Sequence, residues 1–224
     1  FLGTAYSFLI KRTWERWKMH RIQQTLTGHM IVCGFGISNQ QAVCELLQRG
    51  CDCRAIVVID CSDDRLAEAE ALGCTVLKGD ATRDQILVDA RIDSARAVLV
   101  SAGRDDTSIL IVLTARALSN SVPISVVIRA ADNESIARAA GASTVINPVS
   151  FTGLLLAGST HGEHVADYIA DLASVDGRVS LQERAATAAD IGKPLRDIGT
   201  GIGVRLYRNN EPHGVWDAES QSVQ

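Results

Sequence analysis

From residue 28 onward the spacing of apolar positions switches back and forth at short, regular intervals. Met30-Ile31-Val32-Cys33 is an unbroken apolar run. Such a run, bounded by turn residues, is what a strand buried on both faces requires. From about Asn39 to Arg49 the spacing becomes helical, with Ala42, Val43, Leu46 and Leu47 on one face and Gly50 as the stop. The alternation then repeats. Ala55–Ile59 precedes a helix near Ser62–Leu72, stopped by Gly73; Thr75–Leu77 precedes one near Arg83–Ala90. Ala97–Val100 leads into a helix carrying Ile109, Leu110, Val112, Leu113 and Ala117. Ile124–Ile128 leads into one near Asn133–Ala140, and Thr144–Ile146 is a last short run before Pro148. Strands alternating with helices predict parallel pairing through crossovers. The fold class is therefore α/β, a doubly wound, Rossmann-like parallel sheet over residues 28–150.

Past Pro148 the rhythm changes. Phe151–Leu156 and Val165–Leu172 read as two helices around the break GSTHGEH, forming a crossover or hinge over 151–175. Strand-like runs at Val179–Leu181 and Gly203–Tyr207 flank IGKPLRDI, which predicts a smaller, incomplete α/β subdomain over 176–224. At the other end, FLGTAYSFLI is apolar but far shorter than the roughly 20 residues a membrane span needs. Lys11, Arg12, Arg16, Lys18 and Arg21 follow, with Trp14 and Trp17 among them. Basic residues gather on the cytoplasmic side of membrane helices and Trp prefers the interface. Residues 1–27 thus read as the end of a membrane helix and its linker, with an amphipathic helix packed on the domain or a partner as the alternative.

Composition narrows the picture. At 224 residues and 46% hydrophobic, the chain can bury a sizeable core and a second small unit. A net charge of −4 disfavours nucleic acid as a partner, and an aromatic content of 4% supplies no platform for stacking single-stranded bases. The six cysteines, Cys33, Cys44, Cys51, Cys53, Cys61 and Cys74, include no CxxC pair. They read as reduced, mostly buried small hydrophobes.

The candidate chemistry lies at the carboxyl ends of the strands. In a dinucleotide fingerprint the first glycine makes the tight turn, the second lets phosphates approach the backbone, and the third permits close helix–strand packing. Gly34 and Gly36 supply the first two, with Asn39 in the place of the third, either spacing helix from strand or capping the helix. Phe35, Ile37 and Ser38 complete an anion-binding turn at a helix N-terminus. Asp60 ends the second strand beside Cys61, where a carboxylate accepts from ribose hydroxyls and repels a 2′-phosphate, or caps the next helix. Asp80, Ala81 and Thr82 follow the third strand, with Asp80 either accepting from an adenine amino group or capping a helix at Arg83. Ser101 closes the fourth strand beside the pyrophosphate position. Arg129 ends the fifth, as a phosphate contact or an ordinary surface cation. NAD(H) or an adenine nucleotide such as ADP or ATP is the expected ligand.

Taken in order, HMIVCGFG, VVID, GDAT, AVLVSAG, VVIRA and AGASTVINP resemble the regulator of K⁺ conductance (RCK) family, the ligand-sensing module of prokaryotic potassium channels and uptake systems. The tail IGKPLRDIGTGIGVRLYRNNEP is similar to the start of that family's C-terminal subdomain and lacks its closing GD segment. The resemblance implies dimers through the Rossmann lobe and crossover helices, and closure into a tetramer or an octameric gating ring. It also implies a membrane pore domain in the same longer chain, at the cytoplasmic face of the cell membrane, gated by a nucleotide or a divalent cation. A free-standing subunit of an uptake system is the alternative. Some members bind Ca²⁺ near the hinge; here His161, Glu163 and His164, with Asp167, suit Zn²⁺ or Ni²⁺ better and are only weak metal candidates.

A rival reading is an NAD-dependent oxidoreductase, which needs an acid or base beside the nicotinamide. None of His20, His29, His161, His164 and His213 falls at a predicted strand carboxyl end, and the last 75 or so residues are too few for a substrate domain. The expectation is a binding module with no catalytic residues. An interaction domain whose turn is empty is the third possibility.

Overall fold

The computed structural model describes residues 26–179, 181, 183–198, 201–209, 211–217 and 220, so the segment read as a membrane helix end and linker lies almost wholly outside the described residues. Among the described residues no helix is long and apolar enough to cross a membrane. The chain divides into two compact units, with the boundary between Val179 and Ser180.

The first unit is built on six parallel strands: β1 (Met30–Cys33), β2 (Ile56–Asp60), β3 (Thr75–Lys78), β4 (Ala97–Val100), β5 (Ile124–Val127) and β6 (Thr144–Ile146). Their order in the sheet is β3-β2-β1-β4-β5-β6. The reversal between β1 and β4 opens a crevice at the strand carboxyl ends, where ligands of doubly wound sheets bind. The helices between strands are α1 (Ile37–Gln48), α2 (Asp63–Ala71), α3 (Asp84–Asp89), α4 (Asp105–Leu118) and α5 (Ala131–Ala139).

Side chains alternate across a strand, so each apolar run feeds both faces of the sheet. Met30, Val32, Ile56 and Val58 pack with Phe35, Val43, Leu66, Ala69 and Cys74, under α1 and α2. Ile31, Cys33, Val57 and Ile59 pack on the opposite side with Leu87, Ile111, Val112, Ala115 and Ala137. This double burial explains why the strands read as unbroken apolar runs rather than alternating ones.

After β6, Asn147 starts α6 (Pro148–Ser159): its Oδ1 accepts from the amides of Val149 and Ser150, both at 3.0 Å, with Pro148 at the first helical position. That cap sets the start three residues before the first periodic position at Phe151. Helix α7 (Val165–Ala173) packs against α6. Its end is tied to α1, where Arg49 donates to the Ala173 carbonyl at 2.9 Å and Glu45 accepts from the Val175 amide at 2.7 Å.

Of the expected strand at Val179–Leu181, the described residues Val179 and Leu181 are not in a strand. The Arg178 and Val179 amides instead donate to the Asp171 carboxylate, at 2.9 and 3.2 Å, folding the segment back onto α7. In the second unit, β7 (Arg205–Arg208) and β8 (Glu211–Gly214) form an antiparallel pair. A separate knot gathers on Asp190, which accepts from Arg184 at 2.7 and 3.1 Å and from the Thr187 amide and hydroxyl at 2.8 and 2.6 Å. The Arg184 guanidinium, and then Thr187, hold the Asp190 carboxyl well below the usual carboxylate range.

Candidate functional site

The β1–α1 turn is forced at Gly34. Its φ of +80° is left-handed, and a Cβ there would stand 2.5 Å from the Ser101 carbonyl oxygen. The Gly34 amide donates to the Ile59 carbonyl at 2.8 Å, and the Ser101 amide to the Cys33 carbonyl at 3.0 Å, so the turn sits clasped between the ends of β2 and β4. Gly36 has extended backbone and is the N-cap of α1, without a capping side chain. A Cβ at Gly36 would meet nothing closer than the Arg65 Nη1 at 3.7 Å, so this face of the turn is open.

The cap of α1 is Gly36, so Asn39 is not the capping residue. It is buried within the first turn, and its Nδ2 donates back to the carbonyls of Cys33 at 3.2 Å and Gly34 at 2.6 Å. The side chain thereby satisfies two carbonyls that a glycine at this position would leave to other partners. Helix α1 starts at Ile37, two residues before the first periodic position; Ile37 itself is 84% exposed on the rim of the turn.

Asp60 faces this turn. Its Oδ2 accepts from the Phe35 amide at 2.7 Å and its Oδ1 from the Ser62 amide at 2.8 Å. The cap of α2 is Ser62, so Asp60 is not the capping residue. Each carboxylate oxygen has a second lone-pair direction for a further donor. On the other side of the same residue, Arg65 Nη1 donates to the Phe35 carbonyl at 2.6 Å. Residue 35 is thus held by an anion at its N–H and a cation at its C=O. Sequence reasoning missed Arg65; the signal was a lone cation in the acidic first turn of α2, where Asp63 and Asp64 precede it.

Farther along the strand ends, Cys61 donates to the Gly79 carbonyl at 3.3 Å. Burial, then the nearby Asp80 and Asp60 carboxylates, push its thiol up. Asp80 Oδ1 accepts from the Thr82 amide at 2.9 Å and hydroxyl at 2.7 Å, and the hydroxyl bond first of all draws the Asp80 carboxyl down. The cap of α3 is Arg83, so Asp80 shapes the loop before the helix rather than capping it. Ala81 and Ser101 are both buried. Arg129 belongs to another network: its guanidinium donates to the Gly103 carbonyl at 3.0 Å, and its amide, with that of Ala130 and the side chain of Asn133, donates to Asp105. Burial works to raise the Asp105 carboxyl, yet these donors together hold it below its usual value.

Charge distinguishes the start of α1 from its neighbours. Helices α2, α3, α4 and α5 carry Asp63 and Asp64, Asp84, Asp105 and Asp106, and Asp132 and Glu134 in their first turns. Helix α1 carries none. Its first amides have no carbonyl to bond within the helix, and the anion nearest its positive end is Asp60, held on the Phe35 amide just before the N-cap rather than on the helix itself.

The hinge histidines do not assemble. His161 Nδ1 lies 3.0 Å from the Thr160 hydroxyl, while His164 pairs with Glu163 at 3.2 Å and Asp167 at 3.8 Å, all on exposed surface. Among the described residues no group of three or more His, Cys, Asp or Glu is placed to hold a metal ion.

The chain is similar to known proteins in sequence and in fold. Potassium channel protein 1 of Methanocaldococcus jannaschii is 26% identical over 210 residues, covering 88% of this chain and 61% of its own. The probable potassium channel protein 2 of the same organism is 26% identical over 157 residues, covering 68% and 44%. The chain therefore spans less than two thirds of either relative. Among solved structures, the TrkA-N domain of the inner membrane protein ybaL from Escherichia coli superposes with a TM-score of 0.56 at 20% identity, covering 60% of this chain and 97% of that one. The Kef C-terminal domain of Shewanella denitrificans, in an AMP bound form, superposes with a TM-score of 0.52 at 19% identity, covering 64% and 89%. The family model described as the TrkA-N domain matches residues 30–148, more than half of the chain, and on that match the protein belongs to the TrkA-N family as an RCK-type domain.

Proposed function

We propose that this chain is the nucleotide-sensing regulatory module of a potassium channel, and that NAD(H) or an adenine nucleotide binds at the β1–α1 turn and biases the pore. The observation that carries the reading is the turn itself: Gly34 clasped in a tight bend, Gly36 open beside an α1 N-terminus with no capping side chain, and Asp60 anchored 2.7 Å from the Phe35 amide. Phosphate oxygens take the first amides of α1 and the Arg65 guanidinium. The ribose hydroxyls donate to Asp60, whose charge disfavours a 2′-phosphate. The likeness to two channel proteins supports the channel context, and the AMP bound Kef domain shows an adenine nucleotide held by a protein of this fold. No residue here is assigned to catalysis. A ligand acts by preferring one conformation of an assembly, and tenfold preference is worth about 1.4 kcal/mol per site.

Thermal unfolding with NAD⁺, NADH, NADP⁺, ADP or ATP tests the site. A ligand at 100 times its Kd adds about 2.7 kcal/mol, which raises Tm by roughly 5–10 °C for a chain of this size. The expected result is a shift with NAD(H) or an adenine nucleotide that NADP⁺ does not give and Asp60→Ala abolishes. An unchanged shift in Asp60→Ala moves the site elsewhere, no shift at all makes the turn a scaffold, and turnover of NADH with a small carbonyl substrate would favour the oxidoreductase reading.

A further inference from the structure

The cysteines are unevenly placed. All six fall between residues 33 and 74 and all are free thiols. Cys33 lies in the apolar cluster on the opposite face of the sheet, and Cys61 sits exposed at the carboxyl end. The other four gather at the amino end of β2 and β3, away from the candidate nucleotide turn. Cys44 is on α1, Cys51 and Cys53 lead into β2, and Cys74 leads into β3. Cys74 is buried, whereas Cys53 is half-buried.

Both chain neighbours of Cys74 touch the Cys53 segment. A Cβ on Gly73 would stand 2.9 Å from the Cys53 Sγ, and the Thr75 hydroxyl donates to the Arg54 carbonyl at 3.4 Å. Gly73 has a φ of +85°, which brings the end of α2 close over the Cys53 sulfur. Burial first, and then the neighbouring Cys53 and Cys44 thiols, push the Cys74 thiol up to about 11. Cys51 packs against the same apolar cluster as Cys74. Two thiols on segments in contact have the chemistry to join as a disulfide, and among the described residues no group of three or more His, Cys, Asp or Glu is placed to hold a metal ion.

We propose that Cys53 and Cys74 form a reversible disulfide when the protein meets a small-molecule disulfide. The Cys53 thiolate, nearer to solvent, attacks one sulfur of the reagent and forms a mixed disulfide, expelling the first small thiolate. The Cys74 thiolate then attacks the Cys53 Sγ and expels the second. Two protein thiols are oxidised, one disulfide reagent is reduced to two thiols, and the two protein protons pass to the departing thiolates. The bond closes a ring from residue 53 to residue 74. That ring contains β2, α2, Asp60 and Arg65, so the oxidised chain holds both charged residues of the nucleotide turn on a covalently closed segment.

The test treats the 224-residue chain with oxidised glutathione at pH 8, blocks remaining thiols, and maps tryptic peptides by mass spectrometry. The expected product joins GCDCR (50–54) to LAEAEALGCTVLK (66–78), with two of the six thiols lost. It persists in Cys51→Ser, disappears in Cys53→Ser, and reverses with excess dithiol. Oxidised Cys51→Ser unfolds at a higher temperature than its reduced form, while Cys53→Ser shows no such difference. A link that survives in Cys53→Ser, a link to Cys44, mixed disulfides alone, or six thiols retained would each overturn the proposal.

Discussion

At the scale of single residues, the side chains that position the candidate site depart from their local pattern. Asn39 is a polar residue buried to 4% exposure where helical periodicity asks for an apolar or small one, and Ile37 is an apolar residue left 84% exposed. Local rules give way where a turn must be held in one shape. Asp60 was legible because its distance from Gly36 follows from the strand–helix–strand geometry. Arg65 was not, because nothing in the sequence says which way a surface helix cation turns. His29 was read only as lying away from the strand carboxyl ends, and it proves to be a buried core residue. Its Nε2 lies 2.8 Å from the Ala90 carbonyl, and its buried Nδ1 has no hydrogen-bond partner among the described residues. Burial chiefly lowers its pKa from 6.5, and a second proton on Nδ1 would find no acceptor among the described residues. The unfolded chain then binds more protons than the folded one between the lowered folded value and 6.5, so stability rises with pH across that window and is fully present above it. Urea unfolding at pH 5 and pH 7 should show the wild type losing stability on acidification. His29→Gln, which keeps a donor for Ala90, should lose markedly less; equal losses would mean His29 does not titrate in this range.

At the scale of elements, the six strands and five intervening helices were readable because parallel strands buried on both faces leave continuous apolar runs separated by helical spacing. The errors sit at ends and in the tail. Helix α6 starts at Pro148 because Asn147 caps it, and the Arg178 and Val179 amides are taken up by the Asp171 carboxylate. Neither contact leaves a periodic signal. The start of α1 offers a test that separates fold from ligand binding. Ile37→Glu places an anion at the positive end of a helix that has none in its first turn, on an exposed side chain that removes no core contact. The free protein should gain about 0.3–1 kcal/mol. The same charge competes with phosphate for the α1 amides, so nucleotide affinity should fall by about tenfold or more, as a loss of roughly 1.4 kcal/mol. Calorimetric titration of NADH or ADP together with urea unfolding reads both quantities. Weaker binding in a protein of equal or greater stability places the phosphates at α1, whereas unchanged binding places them elsewhere.

At the scale of the whole molecule, α6 poses the clearest energetic problem. Its sequence, PVSFTGLLLAGS, carries no charged residue. A helix apolar on all sides is ordinarily buried on all sides. Yet Val149, Phe151, Leu154 and Leu156 are each more than half exposed in the single chain, and Leu154 is 71% exposed. Four large apolar side chains on one helix exceed the scattered exposure normal for a monomer, the pattern expected of a contact surface. The resemblance to the RCK family implies that crossover helices meet in a homodimer, and these residues supply the apolar area such a contact needs. Leu154→Asp should then lower the sedimentation coefficient from that of a dimer to that of a monomer at micromolar concentration. Its thermal unfolding should also lose the concentration dependence that mass action imposes on a dimer. Because Leu154 makes little contact within its own chain, the variant keeps the Rossmann lobe and its nucleotide turn, so ligand-induced stabilisation per chain should survive. A dimer that persists in Leu154→Asp would move the interface away from this helix. A wild-type chain that sediments as a monomer would assign α6 to a partner other than a second copy of itself.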